Sequence, residues 1–352
     1  MVVIDADIAK AHTLPSRYYA DSETFDSVIA TFGGHWHFSA HRSQLGTAIP
    51  IDNPLREPMI LTSSDGVFRC VSNVCTHRGM LVCTEVSNSK RLQCPYHGRT
   101  FGLDGKFRNM PEFEDAEDFP TLADDLVNHP LKEWKGLFFN TLSGTQFEEF
   151  ISVVNDRVGW LPIENFEHDP SRYRDYSIKA NWALYVDNYL EGFHIPFVHG
   201  DLHEVLDYDS YKTELFDGGV LQIGIANEGE PTFDIPTDHS DFGQNIAAYY
   251  FWIYPGLMLN FYPWGLSVNL VIPEAVDSTR IVYHGFVGSP EKLGKGAGGD
   301  LDKVEAEDQF VVEACQKGIS SVTYERGRYS PTRETGVHHF HRILTTNIDD
   351  SN

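Results

Sequence analysis

Two short motifs, each with one cysteine and one histidine, constrain this chain more than any other feature of its sequence. Cys75-Thr76-His77 is followed, after 16 residues, by Cys94-Pro95-Tyr96-His97. A cysteine and a histidine that lie this close together at the tip of a loop can face the same point. Two such loops can close four ligands around one inorganic centre, so the surrounding domain has to bring both loop tips together.

The order of the four residues indicates what the centre is. Two cysteines and two histidines fit either a structural zinc ion or a 2Fe–2S cluster in which the cysteines bind one iron and the histidines the other. Zinc fingers place two cysteines together and then two histidines, whereas here each loop supplies one of each. A glycine follows each pair and lets backbone amides approach the sulfur closely. The predicted cluster ligands are Cys75, His77, Cys94 and His97.

The chain divides near residue 150 into an α+β arrangement. Residues 1–35 predict a helical lead-in with Ser22 as a helix cap. Short apolar runs and turn signals such as Asp104-Gly105 predict a small all-β domain over residues 36–145. Long strand patterns at 219–225, 247–272 and 280–287 alternate with helical stretches over the remainder. They predict a second domain over 146–352, a twisted antiparallel sheet with helices on one side.

Charge and cysteine content restrict the partners and the compartment. The 352 residues carry a net charge of −24, which disfavours nucleic acid and anionic membranes as partners. Five cysteines are too few for a disulfide scaffold, and the acidic start MVVIDADIAK does not resemble a signal peptide. We therefore expect a cytoplasmic protein with reduced thiols. Residues 242–273 have no charged side chain, but prolines and glycines interrupt them, which favours buried strands over a membrane span.

A second candidate centre lies in the segment that begins at Asn181. Two neutral imidazoles and one carboxylate, with positions left open, form the ligand set of non-haem Fe(II) oxygenases. His199 and His203 are four residues apart and share a helix face, whereas His194 and His199 are five apart, about 140° round a helix. Spacing alone favours the first pair, but Pro196 lets the chain leave helical geometry between His194 and His199.

Both motifs resemble one family, the Rieske non-haem iron ring-hydroxylating oxygenases. CTHRG, CPYHG and FGLDGKF resemble their Rieske domain, and DNYLEGFHIPFVH resembles their Asp/Glu-x2-His-x4-His iron motif. In this order, over nearly the whole chain, they match the catalytic (alpha) subunit. The resemblance implies a Rieske domain followed by a helix-grip, START-like antiparallel sheet domain with a long C-terminal helix. It also implies that His194 and His199, and not His203, bind the mononuclear iron.

The third iron ligand and the neighbouring acids follow from the same resemblance. Residues 304–319 resemble the family's closing helix, in which the second member of an acidic pair, here Asp308, completes the iron site. Four acids within nine residues are also typical of a solvated helix face.

Glu191 could be half of a di-iron site, but no second Glu-x2-His follows in a helical context. The resemblance instead implies that Glu191 bridges the iron histidine of one subunit to a Rieske histidine of its neighbour. Asp187 is predicted to lie outside the ligand set, as a supporting or solvated acid.

The resemblance implies a reaction and its partners. O2 would be used at Fe(II), with electrons passed singly through the cluster. The chain has no flavin or NAD fingerprint, so a separate flavin or iron–sulfur reductase, or a ferredoxin, would supply them. A head-to-tail homotrimer would place the cluster of one subunit opposite the iron of the next.

The substrate is a small molecule whose class the motifs restrict. The segments YPGLMLNFYPWG and RYSPTRETGVHHFH resemble the choline and glycine-betaine monooxygenase branch. This favours hydroxylation or oxidative demethylation of a quaternary amine held by aromatic side chains. Three alternatives stay open: aromatic-ring dihydroxylation, an electron-transfer Rieske protein with an inactive second domain, and a zinc-stabilised lipid-binding module.

Three positions depart from related patterns. Met80 and Tyr96 stand where respiratory-chain Rieske proteins have two disulfide-forming cysteines, which implies the lower-potential oxygenase type. Arg99 stands where many members of the oxygenase family have tryptophan. In the C-terminal HHFH, the alternation predicts a strand with His339 on the opposite face from His338 and His341, and no metal site.

Basic residues collect around the predicted cluster loops. Residues 75–110 contain six basic and two acidic side chains, within a chain of net charge −24. A positive window on an acidic body can steer an acidic electron donor.

We expect charge reversal at Lys90 and Arg91 to lower reductase-linked turnover at low ionic strength by about tenfold and to flatten its salt dependence. The measurement is kcat/KM for the electron donor over a salt series. Reversal of Lys132 and Lys135, outside the window, is the matched control. An unchanged salt dependence would contradict electrostatic steering.

Overall fold

The computed structural model describes residues 2–144 and 146–350 of the chain. They form two compact units, which are described separately. The first is Gly33–Ile151, and the second consists of the described residues on either side of it.

The first unit is built from short antiparallel strands. They form three sheets, with orders β1-β10-β9, β2-β3-β4-β8 and β5-β6-β7. The strands are β1 (His37–His41), β2 (Ala48–Ile51), β3 (Met59–Ser64), β4 (Val67–Ser72), β5 (Leu92–Gln93), β6 (Thr100–Phe101), β7 (Phe107–Asn109), β8 (Asn128–His129), β9 (Leu131–Trp134) and β10 (Leu137–Asn140). The turn between β3 and β4 has positive φ at both Asp65 and Gly66, which matches the twist of a two-residue hairpin.

The second unit contains one seven-stranded antiparallel sheet. Its order is β11-β17-β16-β15-β14-β13-β12. The strands are β11 (Glu167–Ile178), β12 (Lys212–Phe216), β13 (Gly219–Ile225), β14 (Ile246–Ile253), β15 (Leu257–Tyr262), β16 (Gly265–Ala275) and β17 (Ser278–Val287). The central strands β14 and β15 are buried along nearly their whole length, whereas the edge strands β11 and β12 are mostly exposed or half-buried. This explains why residues 242–273 are uncharged.

The described chain also contains eight α-helices and six short 3-10 helices. The α-helices are α1 (Arg17–Ala20), α2 (Ser22–Ala30), α3 (Phe147–Val158), α4 (Trp182–Tyr189), α5 (Ile195–Val198), α6 (Gly200–Val205), α7 (Leu301–Ile319) and α8 (Thr335–Asp350). The division between the units falls within α3. In the second unit the Phe340 ring of α8 packs against Trp182 of α4 and Trp252 of β14, at 5.6 and 5.1 Å between ring centroids.

The predicted fold class is confirmed: a small β unit is combined with a large antiparallel sheet and helices. Two local predictions were wrong. The cap of α2 is Asp21, which accepts a hydrogen bond from the Thr24 amide, and Ser22 is already helical. The HHFH segment lies in α8 and not in a strand, because the buried residues Val337, Phe340 and Leu344 follow a helical period that extends beyond the four letters.

Among the described residues, no helix is both long and apolar enough to cross a membrane.

Asn181 connects three elements of the second unit. It is fully buried, and its side-chain oxygen accepts a hydrogen bond from the Ala183 amide at the start of α4. Its amide nitrogen Nδ2 donates to the Val276 carbonyl, and its backbone N–H donates to Gln316 of α7. This side chain therefore fixes the beginning of α4.

We expect Asn181→Ala to lower the free energy of unfolding by about 2 kcal/mol, because it removes a helix cap and leaves the half-buried Val276 carbonyl without its donor. The measurement is the urea midpoint of the full chain, followed by tryptophan fluorescence. Asn165→Ala, at an exposed position, is the control and should change stability by less than about 0.5 kcal/mol. Equal midpoints for the two variants would show that the cap contributes nothing.

Candidate cluster and metal sites

The two Cys/His motifs form a pair of equivalent turns in the first unit. The Gly79 amide donates to the Cys75 carbonyl at 2.9 Å, and the Gly98 amide donates to the Cys94 carbonyl at 3.1 Å. Both glycines have positive φ, +71° and +73°, a conformation that side chains with a Cβ rarely adopt. The glycine after each pair is thus required by the turn that aims the pair.

The sulfurs lie inside the unit and the imidazoles near its surface. Cys75 and Cys94 are each 2% exposed and belong to the same apolar cluster as Phe101. His77 is half-buried and His97 exposed, with their ring centroids 4.9 Å apart. The structure therefore brings the four predicted ligands together as two adjacent thiols and two adjacent imidazoles.

The environment of Cys75 favours the neutral thiol over a free thiolate. Burial is the main cause that raises the pKa of this thiol, and the neighbouring Cys94 thiol adds to the shift. Backbone amides of His77 and Arg78 hydrogen-bond to its sulfur and act in the opposite direction. Two buried thiols side by side, approached by amides, have the donor chemistry of an iron–sulfur cluster.

The candidate iron site forms where the helices after β11 break. His199 lies between α5 and α6 with φ −113° and ψ 74°, outside helical geometry. One donor atom from each of His194, His199 and Asp308 lies within 4.8 Å of the others. Nε2 of His199 is 2.9 Å from Asp308 Oδ1, and Nε2 of His194 is 3.5 Å from it. The predicted triad is brought together, whereas His203 lies exposed on α6.

Each of these histidines also contacts a carboxylate through the ring nitrogen that does not face Asp308. Nδ1 of His194 is 2.7 Å from Glu191 Oε1, and Nδ1 of His199 is 2.7 Å from Glu307 Oε2. With Nδ1–H donating to a carboxylate, Nε2 of each ring is left to face Asp308. Burial lowers the pKa of His199, but its hydrogen bonds to Asp308 and Glu307 outweigh burial and raise the pKa overall.

The acids of α7 do not form a solvated face. Glu307 binds His199, and Glu313 accepts a hydrogen bond from the Lys179 amide at 3.0 Å. Glu305 accepts a hydrogen bond from the Tyr185 hydroxyl at 2.7 Å. The sequence placed these three acids on one helix with Asp308, but their separate partners come from distant segments and could not be predicted from spacing.

A cavity of about 100 Å³ adjoins the triad. Its wall includes the amide side chains of Asn260 and Gln222 and the carboxyl group of Glu305. Burial, followed by the charge of Asp308, raises the pKa of Glu305 to about 7. None of the described residues that line the cavity is lysine or arginine. The aromatic lining consists of Tyr185, Tyr189, Tyr211, Tyr250 and Tyr262.

Asp187 lies in a separate hydrogen-bond network. Its carboxylate oxygens accept from the Tyr19 hydroxyl at 2.8 Å and contact His341 Nε2 at 2.7 Å. The other ring nitrogen of His341 is 2.6 Å from the Tyr329 hydroxyl. The sequence did not connect Asp187 with the HHFH segment, because the residues are 154 positions apart.

Comparison with known proteins identifies the class. The family model for the ring hydroxylating alpha subunit (catalytic domain) matches residues 160–350, and the model for the Rieske [2Fe-2S] domain matches residues 35–121. The chain belongs to the ring-hydroxylating alpha-subunit family. It is therefore a Rieske non-haem iron oxygenase, an oxidoreductase whose cofactors are a 2Fe–2S cluster and Fe(II), as the sequence predicted.

Within this family, the chain is similar in sequence to two kinds of monooxygenase. The carnitine monooxygenase oxygenase subunit of Escherichia coli (strain K12) is 28% identical over 368 residues, with 98% of this chain and 96% of that protein covered. The chloroplastic choline monooxygenase of Arabidopsis thaliana is 26% identical, with 97% and 84% covered.

Solved structures share the fold. A quaternary ammonium Rieske monooxygenase in complex with L-carnitine superposes with a TM-score of 0.79 at 23% identity, with 99% of each chain covered. Naphthalene 1,2-dioxygenase from Rhodococcus sp. superposes with a TM-score of 0.78 at 18% identity, with 97% of this chain and 95% of that chain covered.

We expect Glu307→Gln to weaken Fe(II) binding by at least about tenfold, because His199 loses the carboxylate that orients its ring. The measurement is competition with a ferrous chelator, with the visible spectrum of the cluster recorded in parallel to show that it is intact. Glu313→Gln, on the same helix, is the control and should bind Fe(II) as the unmodified chain does. Unaltered affinity in Glu307→Gln would contradict an orienting role.

Proposed function

We propose that this terminal oxygenase hydroxylates or oxidatively demethylates a small quaternary amine. The observation that carries the proposal is the cavity beside the triad, whose described lining includes five tyrosines and three acids and neither lysine nor arginine. Aromatic faces attract a cation, and the attraction grows as water is excluded. The likeness to choline and carnitine monooxygenases supports the same substrate class.

The cavity also offers neutral polar side chains to the uncharged end of such a substrate, among them Gln222 and Asn260. Gln222 is 1% exposed, and its Nε2 donates to the Tyr189 carbonyl at 2.7 Å. Its Oε1 is buried and has no hydrogen-bond partner among the described residues. A buried acceptor without a donor is costly, so a hydroxyl group on the substrate would satisfy it. A cavity with these donors and acceptors favours an amino alcohol over a carboxylate-bearing amine.

The residues of the two centres have distinct roles in this proposal. When bound, the cluster relays single electrons and Fe(II) provides the position at which O2 is used. Glu191 and Glu307 keep a proton on Nδ1 of their histidines, so that Nε2 stays free for the metal. The tyrosines orient the cation and exclude water. The proposed cluster ligands are Cys75, His77, Cys94 and His97, and the proposed iron ligands are His194, His199 and Asp308.

Enzymes of this family take electrons from a separate reductase. We propose that this chain forms a head-to-tail homotrimer, in which Glu191 connects the cluster of the neighbouring subunit to His194 and so passes electrons between them. Two surfaces support this assembly. Glu191 and His194 line an open cavity of about 470 Å³ with an apolar wall that includes Val311. At the cluster loops Tyr96 is 58% exposed, a large apolar side chain of the kind that an interface covers. Asp187 lines the same open cavity and would support Glu191 from the side.

The same proposal assigns residues 36–145 to the Rieske domain, 146–352 to the catalytic domain and 1–35 to a helical lead-in. The division within α3 supports the boundary near residue 150, and α1 and α2 of the lead-in belong to the compact unit that contains the triad. The cytoplasm remains the expected compartment, since it would keep both cluster thiols reduced before assembly.

The deciding experiment is product analysis with the full chain, a surrogate reductase and a pair of isosteric substrates. We expect 2-(trimethylammonio)ethanol to be oxidised with kcat/KM about tenfold or more above its uncharged carbon analogue, 3,3-dimethylbutan-1-ol, because only the former has a cation for the tyrosines. His194→Ala is the control and should lose product while the cluster spectrum is preserved.

Three outcomes would contradict the proposal. Equal turnover of both isosteres would show that charge is not recognised. Consumption of an aromatic hydrocarbon or aromatic acid in place of the amine would favour ring dihydroxylation. Product formation by His194→Ala would show that the mononuclear iron site is not needed for the reaction.

A further inference from the structure

Arg99 is a buried cation beside the cluster loops. It is one of the six basic residues of the window around the cluster loops, but its side chain is only 2% exposed, whereas Lys90, Arg91 and Arg108 are exposed. Its guanidinium carbon lies 4.9 to 5.8 Å from the centroids of three phenylalanine rings. These rings are Phe101, Phe107 and Phe119.

The polar contacts of this guanidinium are incomplete. Nη2 donates to Asp124 Oδ1 at 2.6 Å and contacts the Asp124 carbonyl at 3.3 Å. Nε is buried and has no hydrogen-bond partner among the described residues. Burial of a cation with an unpaired N–H costs stability, and an apolar side chain of similar size would fill the space without that cost. Packing alone does not account for an arginine here.

The ion pair is tied to both cluster loops. The Arg99 carbonyl accepts a hydrogen bond from the Cys94 amide at 2.8 Å. The Asp124 carbonyl accepts one from the hydroxyl of Thr76, which lies between the two ligands of the first loop, at 2.9 Å. Both charges are therefore held at fixed positions relative to the four predicted ligands.

Both members of this ion pair are charged. Burial would raise the pKa of Asp124, but hydrogen bonds from Thr121 and Arg99 lower it overall, so the carboxylate stays ionised. The pair thus consists of two full charges, one of them enclosed by apolar rings where screening by water is weak.

We propose that Arg99 and Asp124 set the reduction potential of the Rieske cluster as an opposed pair of charges. Reduction by one electron from the reductase adds one negative charge to the cluster, and a nearby buried cation stabilises that added charge. Arg99 therefore raises the potential and Asp124 lowers it. Neither residue binds the cluster, so both are positioning residues that act on it through space.

The test is a redox titration of the full chain with its cluster, followed by visible circular dichroism. We expect Arg99→Gln to shift the midpoint potential downwards and Asp124→Asn to shift it upwards. The double variant should return close to the unmodified protein, because it removes both charges. Arg99→Lys keeps the charge and should stay nearer to the unmodified potential than Arg99→Gln.

Shifts of the midpoint potential in opposite directions in the two single variants would distinguish a charge effect from loosened packing. Arg108→Gln is the matched control, since Arg108 pairs with Asp104 at 3.1 Å on the exposed surface and its charge is screened by water. Shifts of the same sign in both single variants, or no shift in either, would overturn the proposal. If Arg99→Gln does not incorporate the cluster, Asp124→Asn decides alone: a raised potential supports the proposal and an unchanged one overturns it.

Discussion

The proposed iron site depends on two hydrogen bonds between an imidazole Nδ1 and a carboxylate. They join His194 to Glu191 and His199 to Glu307, and each is 2.7 Å long. An imidazole that donates from Nδ1 keeps its Nε2 lone pair for a metal, and a ring held at one edge cannot rotate away. The two Nε2 atoms then meet one oxygen of Asp308. The open sides of such a set leave room for substrate and O2.

This requirement explains the irregular backbone between α4 and α6. An unbroken helix would place His194 and His199 on different faces, so the chain leaves helical geometry at 190–194 and again at His199. The opposite side of the site is a regular helix, α7. Its side chains are anchored by Asp302 on Arg174 and by Glu313 on the Lys179 amide. An irregular segment thus faces a regular helix, and the helix contributes Asp308 and Glu307.

The two centres of the chain are built by different physical means. The cluster site is local, since each Cys/His pair is aimed by a short turn that its own glycine closes. Most of its specificity lies in two short motifs and in burial of the two sulfurs. The proposed iron site is assembled from segments more than 100 residues apart in the chain. The carboxylates of Glu191 and Glu307 determine which ring nitrogen of each histidine faces Asp308. The tyrosine-lined cavity is also assembled from distant segments, because its five rings come from α4, the loop before β12, and strands β14 and β15.

What the sequence determined by itself was local chemistry. The spacing of two Cys/His pairs predicted the cluster, because it depends on neighbours a few residues away. The uncharged run broken by proline predicted two buried strands, where the structure has three, β14 to β16. Family resemblance was needed to prefer His199 with His194 over His199 with His203, and to select Asp308 among four acids. Only the tertiary structure decided that Glu307 holds His199, that Glu305 enters a group of tyrosines, that His341 contacts Asp187 from a helix and that Arg99 is buried beside the cluster loops. Those contacts join residues far apart in the chain, and their geometry depends on how the sheet and α7 pack, which no local pattern of residues encodes.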